Sequence, residues 1–482
     1  MSVAKNFIYN VIYQVFVLIT PLITVPYISR VLGSNGVGIN AYTNSIIQYF
    51  ILFGTIGISM YGNRSVAYVR DNRDQLSKTF WGIMALKILT AALSYSAFLV
   101  FLLFIDRFQV IFLIQSIYII SAAVDITWLF MGLENFKKIV LRNIVVKFIG
   151  IASIFVFVQT SDDLWKYVLA LSLTELLGQL TMYIHLSDSV NRVKIRWRDI
   201  KKHFMPAMTL FLPQVAIQIY AVLNKTMLGT LSTTNEVGFF DNADKIIKMI
   251  LAVVTATGVV MLPRVSNTFA MGHTEKVKDY LTKSLDFATY MAMPMMFGII
   301  GIAQGFTPWF FGPGFSTTGQ LICIIGPIIL FIAWSNVLGV QYLMPLNRMR
   351  PFTLSVTVGA IVNFIFNLIL IPNFQSAGTA ISTVIAEFAV TGVQLLFVWR
   401  DIQLKRIVAS LWKYLVASVV MFLLIWFIGN HLPVGIGSTL FQVAAGSVVY
   451  FLLLFLLKSR TNLKVFTFVV ESAKKIFSKG SR

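Results

Sequence analysis

The sequence predicts an all-α integral membrane fold with about fourteen spanning helices. Three observations predict it: a composition too apolar for a water-facing surface, a succession of apolar runs long enough to cross a bilayer, and basic residues confined to alternate breaks between those runs. Of the 482 residues, 57% are hydrophobic and 12% charged, where soluble domains carry about 25% charged. Mean hydropathy is +0.80. The formal charge of +20 would suit nucleic acid, but Lys and Arg fall in short clusters between apolar runs and not on one basic domain. Nucleic acid is therefore not expected, and acidic phospholipid headgroups are the simpler partner. Cys323 is the single cysteine and lies in an apolar run, so no intrachain disulfide and no metal framework is expected. The first residues lead into an apolar stretch without a small-residue cleavage site, which reads as a retained first helix.

A helix needs about 20 apolar residues to cross the hydrocarbon core. In chain order, runs of that kind cover 7–30, 38–62, 80–104, 108–131, 139–160 and 164–187. After a break they continue over 205–230, 238–262, 284–311, 318–344, 352–372, 377–398, 411–430 and 436–457. Turn-rich breaks separate them, among them Gly33-Ser34-Asn35-Gly36, Gly312-Pro313-Gly314 and Ile371-Pro372-Asn373. Barrel strands would be about 10 residues of alternating polarity, and no such pattern occurs.

Charge placement tests the topology independently. With both termini in the cytoplasm, the inner segments carry Arg64, Arg70, Arg73 and Lys78, then Lys137, Lys138 and Arg142, then six basic residues from Arg192 to Lys202. Later inner segments carry Arg264, Lys276, Lys278 and Lys283, then Arg348 and Arg350, then Arg400, Lys405, Arg406 and Lys413, and finally the tail. The outer loops hold almost no basic residue besides Arg107. One missed or invented helix would reverse the sign of every later loop, so the alternation supports this count and orientation.

The basic segment 191–202 divides six helices from the rest. The expected organisation is an N-lobe at 1–187, a basic cytoplasmic linker at 188–204, a C-lobe at 205–400, two further helices within 401–457 and a basic cytoplasmic tail at 458–482. The two lobes are weakly similar at an offset of 200. Val37-Gly38 matches Val237-Gly238, Ile46-Ile47 matches Ile246-Ile247, Thr55 matches Thr255, and Arg64 matches Arg264. Six helices per repeat is an even number, so the two pseudo-symmetric lobes run the same way through the bilayer, a parallel-repeat arrangement used by transporters.

Pro26-Tyr27-Ile28-Ser29-Arg30-Val31-Leu32-Gly33, followed by Gly36-Val37-Gly38 and Ala41-Tyr42, resembles the N-terminal signature of the polysaccharide-biosynthesis flippases. These are the Wzx-type oligosaccharide exporters of the multidrug/oligosaccharidyl-lipid/polysaccharide superfamily. Lys225-Thr226-Met227-Leu228-Gly229, Glu236-Val237-Gly238-Phe239-Phe240, Val260-Met261-Leu262-Pro263-Arg264 and Ala377-Gly378-Thr379-Ala380-Ile381 with Ala386-Glu387 extend the resemblance through twelve helices. Asn224 stands where many members carry an acidic residue, which leaves open an ion-coupling role at that position. The resemblance implies a carrier for sugar units on a polyprenyl pyrophosphate in the bacterial cytoplasmic membrane, with a cavity opening alternately to each side. It implies no cofactor, although coupling to a proton or sodium gradient stays open, and it allows a polysaccharide polymerase or other assembly protein as partner.

An anionic headgroup crossing a low-dielectric slab needs fixed cations, and a charge at mid-helix costs roughly 2.5–3.5 kcal/mol on insertion scales. Arg30, Lys87, Lys147, Lys225, Lys245 and Lys248 are therefore the candidate pyrophosphate-binding cations. Asp125, Glu175, Asp244 and Glu387, with Asn44, Gln48, Gln214 and Gln218, are the candidate coupling or polar cavity residues. Each has a structural alternative. Lys87 and Lys147 are placed to snorkel, Asp241–Lys245 and Asp244–Lys248 have i,i+4 spacing for simple ion pairs, and the amides are placed for cross-helix bonding. Two other functions compete: an ion-coupled multidrug antiporter of the same superfamily, and a membrane-embedded polysaccharide polymerase or glycosyltransferase. Short outer loops, four scattered histidines and the lack of a paired-carboxylate, nucleophile or metal motif speak against an enzyme.

Overall fold

The computed structural model describes the backbone of residues 3–467 and 471, and the side chains among them except those of 3–15, 17, 18, 212–214, 216, 217, 257, 259, 260 and 404. All regular structure among the described residues is helical. Among the described residues, nine helical stretches are long and apolar enough to cross a membrane, or ten if Pro313–Ile325 and Ile328–Leu343, bent by 47°, form one span. The sequence reading gives more pieces, because the two longest stretches each run across a backbone break, at Gly33 and at Gln375, and because the helices Trp197–Leu231 and Thr234–Thr255, which it reads as spans, are not among the nine. Stretches Ile19–Val69 and Met349–Asp401 hold 51 and 53 residues, well over twice the roughly 20 residues that one crossing takes.

The chain forms two compact units, Met1–Asp241 and Asn242–Arg482. The first contains α1 (Val3–Thr55), α2 (Ile58–Val69), α3 (Arg73–Leu102), α4 (Gln109–Gln115), α5 (Ile117–Val124), α6 (Thr127–Gly132), α7 (Phe136–Phe157), α8 (Leu164–Thr181), α9 (Leu186–Ser189) and α10 (Trp197–Leu231). Helix α11 (Thr234–Thr255) begins here and ends in the second unit. In the first unit α1 packs on α3, α7 and α10, α3 on α5, and α7 on α8. Its core gathers Phe80, Ile83, Trp128, Phe130, Met182 and Phe211 around the α2–α3–α6 contact. Helix α10 starts at the basic segment, where the Asp199 carboxylate accepts the Arg196 N–H at 3.1 Å. That bond holds the Asp199 carboxyl below its ordinary range.

Gly33 interrupts α1 with φ 65° and ψ −177°, a combination essentially restricted to glycine. The turn it makes carries Ser34, Asn35 and Gly38 to the start of α11, the position equivalent to theirs in the repeat. A Cβ on Gly38 would lie 1.7 Å from the Thr234 carbonyl oxygen, and one on Gly238 would lie 2.0 Å from the Ser34 carbonyl oxygen. Around these glycines Ser34 Oγ donates to Asn235 Oδ1 at 2.9 Å, while Thr234 Oγ1 donates to Asn35 Oδ1 at 2.5 Å. Each contact is the other displaced by 200 positions, so the sequence repeat appears here as a reciprocal local junction. The pair Asn35 and Asn235 extends the repeat beyond the matches read from sequence.

The second unit contains α12 (Thr257–Ala270), α13 (Thr274–Phe310), α14 (Ser316–Ile325), α15 (Ile328–Ser335), a π-helical segment at Asn336–Leu343, α16 (Met349–Val398), α17 (Leu404–His431) and α18 (Ile436–Leu456). Helices α17 and α18 pack on each other and on α13. Buried hydroxyls pin that contact: Tyr450 donates to the Tyr290 carbonyl at 2.8 Å, Tyr290 to Asn462 Oδ1 at 3.0 Å, and Tyr414 to Asp286 Oδ1 at 3.1 Å. The last two spans therefore stabilise α13.

Gly238→Ala and Gly38→Ala are each expected to destabilise the purified protein by about 1–3 kcal/mol through overpacking, read as a lower melting temperature in detergent. Gly392→Ala is the control, since a Cβ there meets nothing within 4 Å. Equal melting temperatures for all three variants and the parent would refute the glycine contact.

Candidate functional site

Helices α7 and α8 enclose a polar cavity of about 270 Å³ lined by Thr127, Arg142, Asn143, Lys147, Glu175 and Gln179, with apolar walls completing it. The spacing Ile139, Arg142, Asn143, Val146 and Lys147 puts five α7 residues along one stripe. Glu175 and Gln179, four apart on α8, face them, and Gln179 Nε2 donates to Glu175 Oε1 at 2.9 Å. Arg142 Nη2 donates to Glu175 Oε1 at 3.2 Å and to the Glu175 carbonyl at 3.4 Å, and its Nη1 donates to Asn143 Oδ1 at 2.6 Å. Gly178 permits this approach: a Cβ there would fall 2.3 Å from Val146 Cγ2 and 2.9 Å from Arg142 Nη2. Two buried polar atoms in the cavity wall, Arg142 Nε and Gln179 Oε1, have no hydrogen-bond partner in the protein. Among the described residues Lys147 has no side-chain ion pair or hydrogen bond. An unmet donor, an unmet acceptor and an unpaired ammonium suit a ligand that combines an anionic oxygen with hydroxyl groups.

The sequence reading placed Lys147 and Glu175 among its candidates, and the fold brings them to one cavity. It missed Arg142, Asn143 and Gln179 as site residues. The signal for Arg142 was legible, because it lies inside the predicted span 139–160 and not in the loop to which its charge was assigned.

Lys87 and Asp125 meet elsewhere in the first unit. Lys87 is 0% exposed and so does not snorkel. Its Nζ donates to the Asp125 carbonyl at 2.6 Å and lies 3.6 Å from the Asp125 carboxylate. Asp125 stands in the break between α5 and α6, where its backbone is extended. There Lys87, Trp128 Nε1 (3.1 Å, to the Asp125 carbonyl) and the Tyr183 hydroxyl (2.9 Å, to the Val124 carbonyl) satisfy carbonyls that the broken helix leaves open. A cation at a helix C-terminus also opposes the helix dipole. The Asp125 carboxylate accepts the Thr127 N–H at 2.8 Å and so starts α6.

Lys225 Nζ donates to Asp241 Oδ1 at 2.5 Å, so Asp241 binds across helices as well as standing at i,i+4 from Lys245. Lys248 Nζ donates to the buried Asp244 at 2.7 Å, the simple helical pair expected. Gln48 Nε2 reaches Asn44 Oδ1 at 3.5 Å, and Ser45 Oγ and Thr226 Oγ1 share a hydrogen bond of 2.9 Å. Arg30 on α1 and Gln218 on α10 are exposed, Lys245 on α11 is half-buried, and Glu387 on α16 is buried. The side chain of Gln214 lies outside the described residues.

A family model described as polysaccharide biosynthesis protein matches residues 3–269, more than half of the chain. The chain belongs to that family. A protein assigned as an O-antigen transporter in Escherichia coli (strain K12) is 23% identical over 403 residues, covering 83% of this chain and 97% of that one. The fold is shared with the lipid II flippase MurJ in an inward closed conformation, at a TM-score of 0.74 and 15% identity over 93% of this chain and 98% of that one. It is also shared with an inward-facing multidrug resistance transporter of the MATE family, at a TM-score of 0.58 and 12% identity over 83% and 98%. The chain is a multi-pass helical membrane protein of the polysaccharide biosynthesis family.

Lys87→Met is expected to destabilise the protein by about 3–5 kcal/mol, because it removes the cation paired with the Asp125 carboxylate and one of the two donors to the Asp125 carbonyl. Adding Asp125→Asn should recover part of that loss, and a double-mutant cycle in thermal melts measures the coupling. Strictly additive losses would show that the two side chains do not interact.

Proposed function

We propose that this protein is a flippase for lipid-linked oligosaccharide units, acting in a bacterial cytoplasmic membrane by alternating access. The observation that carries the reading is the match over nearly the whole length of a relative assigned as an O-antigen transporter. The substrate class is a sugar unit on a polyprenyl pyrophosphate, destined for a surface polysaccharide or teichoic acid. The α7–α8 cavity supports it chemically. Arg142 Nε and Lys147 supply donors for phosphate oxygens, Gln179 Oε1 accepts from a hydroxyl, and Glu175 holds Arg142 in place. These cations favour an anionic headgroup over the cationic drugs of an antiporter. Arg30, Lys225, Lys245 and Lys248 would serve other stages of the same passage. Glu175, Asp125 and Glu387 are the carboxylates available for coupling to a proton or sodium gradient.

Fourteen spans with both termini in the cytoplasm remain the topology that charge alternation supports. The two stretches above 50 residues each have room for two crossings, and each contains a backbone break, at Gly33 and at Gln375. The six-plus-six lobes at 1–187 and 205–400, joined through 188–204, follow from that topology. Polymerases or other assembly proteins are the partners such a carrier would feed.

Depletion of the protein should make sugar-loaded carrier lipid accumulate in the cytoplasmic leaflet while surface glycan falls, measured by leaflet-resolved labelling. An Arg30→Ala, Lys147→Ala double variant that still inserts should reproduce the block. Loaded lipid reaching the outer leaflet at its normal rate in both strains would overturn the substrate assignment.

A further inference from the structure

A second cavity shares Arg142 and Val146 with the first. Between α7 and α8 runs a groove of about 530 Å³, walled along most of its length by apolar residues that include Leu141, Val145, Ile149 and Leu177. All four are exposed on the surface, at 59%, 47%, 50% and 54%. On a membrane helix such residues face hydrocarbon. One end of the groove is basic, with Lys137, Lys138, His185 and Arg142 in its lining.

Lys137 and Lys138 stand in the first turn of α7, the end of a helix where the dipole disfavours cations. That turn has no acidic residue, and the capping residue Asn135 makes no side-chain bond to it. The opposing charges are few. Asp188 accepts from Lys138 at 3.2 Å and lies 3.8 Å from His185 Nδ1, and Glu175 holds Arg142. Lys137 has no side-chain ion pair or hydrogen bond among the described residues, and Arg142 Nε has no partner. The basic end therefore calls for an anion, and a helix N-terminus is suited to phosphate. The rest of the groove calls for a hydrocarbon chain.

We infer that this groove binds an anionic phospholipid of the leaflet at the N-terminal end of α7. The phosphate sits on the open N–H groups of α7 with Lys137, Lys138 and Arg142, and one acyl chain lies along Leu141, Val145 and Ile149. From Leu141 to Ile149 the wall rises about 12 Å at the helical rise, close to the depth of one leaflet's hydrocarbon, about half of the 30 Å core. That length suits a lipid that stays in one leaflet better than a long isoprenoid that must cross. A zwitterionic headgroup would bring its own cation against Lys137, so the site selects net negative charge. The inference rests on the lining of this groove, which shares Arg142 with the cavity proposed for the transported headgroup.

The test uses the full-length protein in neutral detergent, incubated with an equimolar mixture of phosphatidylglycerol and phosphatidylcholine, with bound lipid read by native mass spectrometry. The expected result is about a ten-fold preference for phosphatidylglycerol, the scale that a few surface cations give one anionic lipid. Lys137→Gln with Lys138→Gln should bring that preference close to unity, while Leu141→Trp, which fills the groove, should reduce retention of both lipids. Comparable melting temperatures establish that each variant is folded. No preference in the parent protein, or an undiminished one in the double variant, would overturn the site. So would displacement of the lipid by tens of millimolar inorganic phosphate, which would show that the groove contributes nothing. Displacement by equimolar undecaprenyl phosphate would likewise overturn it, by giving the groove to the carrier lipid.

Discussion

The backbone contact between Gly38 and Gly238 is the constraint on which the first unit's arrangement depends. Two segments from opposite ends of a 200-residue stretch approach so closely that neither tolerates a Cβ. Close backbone approach is how membrane helices associate where the hydrophobic effect supplies no drive between them. The reciprocal bonds from Ser34 and Thr234 satisfy the polar atoms that such proximity exposes. Gly33 makes the contact possible by turning α1 through a conformation that side-chain-bearing residues rarely adopt. From that turn follow the placement of α10 beside α1 and the Ser45–Thr226 bond one stage further in.

Buried charge follows one rule in this unit and breaks it once. Lys87 is held by Asp125, Arg142 by Glu175 and Lys225 by Asp241, each pairing lowering the cost of a charge away from water. Lys87 has a further effect, because with Trp128 and Tyr183 it satisfies the carbonyls left open at a break in a membrane helix. Lys147 departs from the rule. It stands in a polar cavity beside the already paired Arg142, so its ammonium is left to a ligand or to water. A transporter needs such exceptions, since cations fully matched by the protein have nothing left to offer a passing phosphate.

Helical class, multi-pass character and family were legible in the sequence because they rest on quantities summed over many residues: apolar run length, loop charge and the order of short motifs. The candidate residues were legible as types but not as partners. Composition marks Lys87 as costly, yet only the fold shows it capping α5 through the Asp125 carbonyl, 38 positions away. Helical spacing suggested Asp241–Lys245, but the fold also brings Lys225, 16 positions away, within bonding distance of Asp241. Arg142 was read as a loop charge because positive residues near a span's end are the commonest topology signal. Its role depends on Gly178, whose missing side chain lets the guanidinium reach Glu175, and no property of Arg142 itself encodes that. The turn signals at Gly33 and at Pro372-Asn373 coincide with or adjoin the backbone breaks at Gly33 and Gln375, whereas the exact ends of the spans were the least legible feature.

Arg142 links the two cavities, and its hydrogen-bonding capacity limits what both can hold. A guanidinium carries five N–H donors, and Glu175 and Asn143 engage three of them. The remaining donors, Nε among them, serve whichever oxygen lies nearest: a headgroup in the outer groove or a ligand in the inner cavity. The two occupants therefore compete for one group, unless Glu175 releases part of its hold.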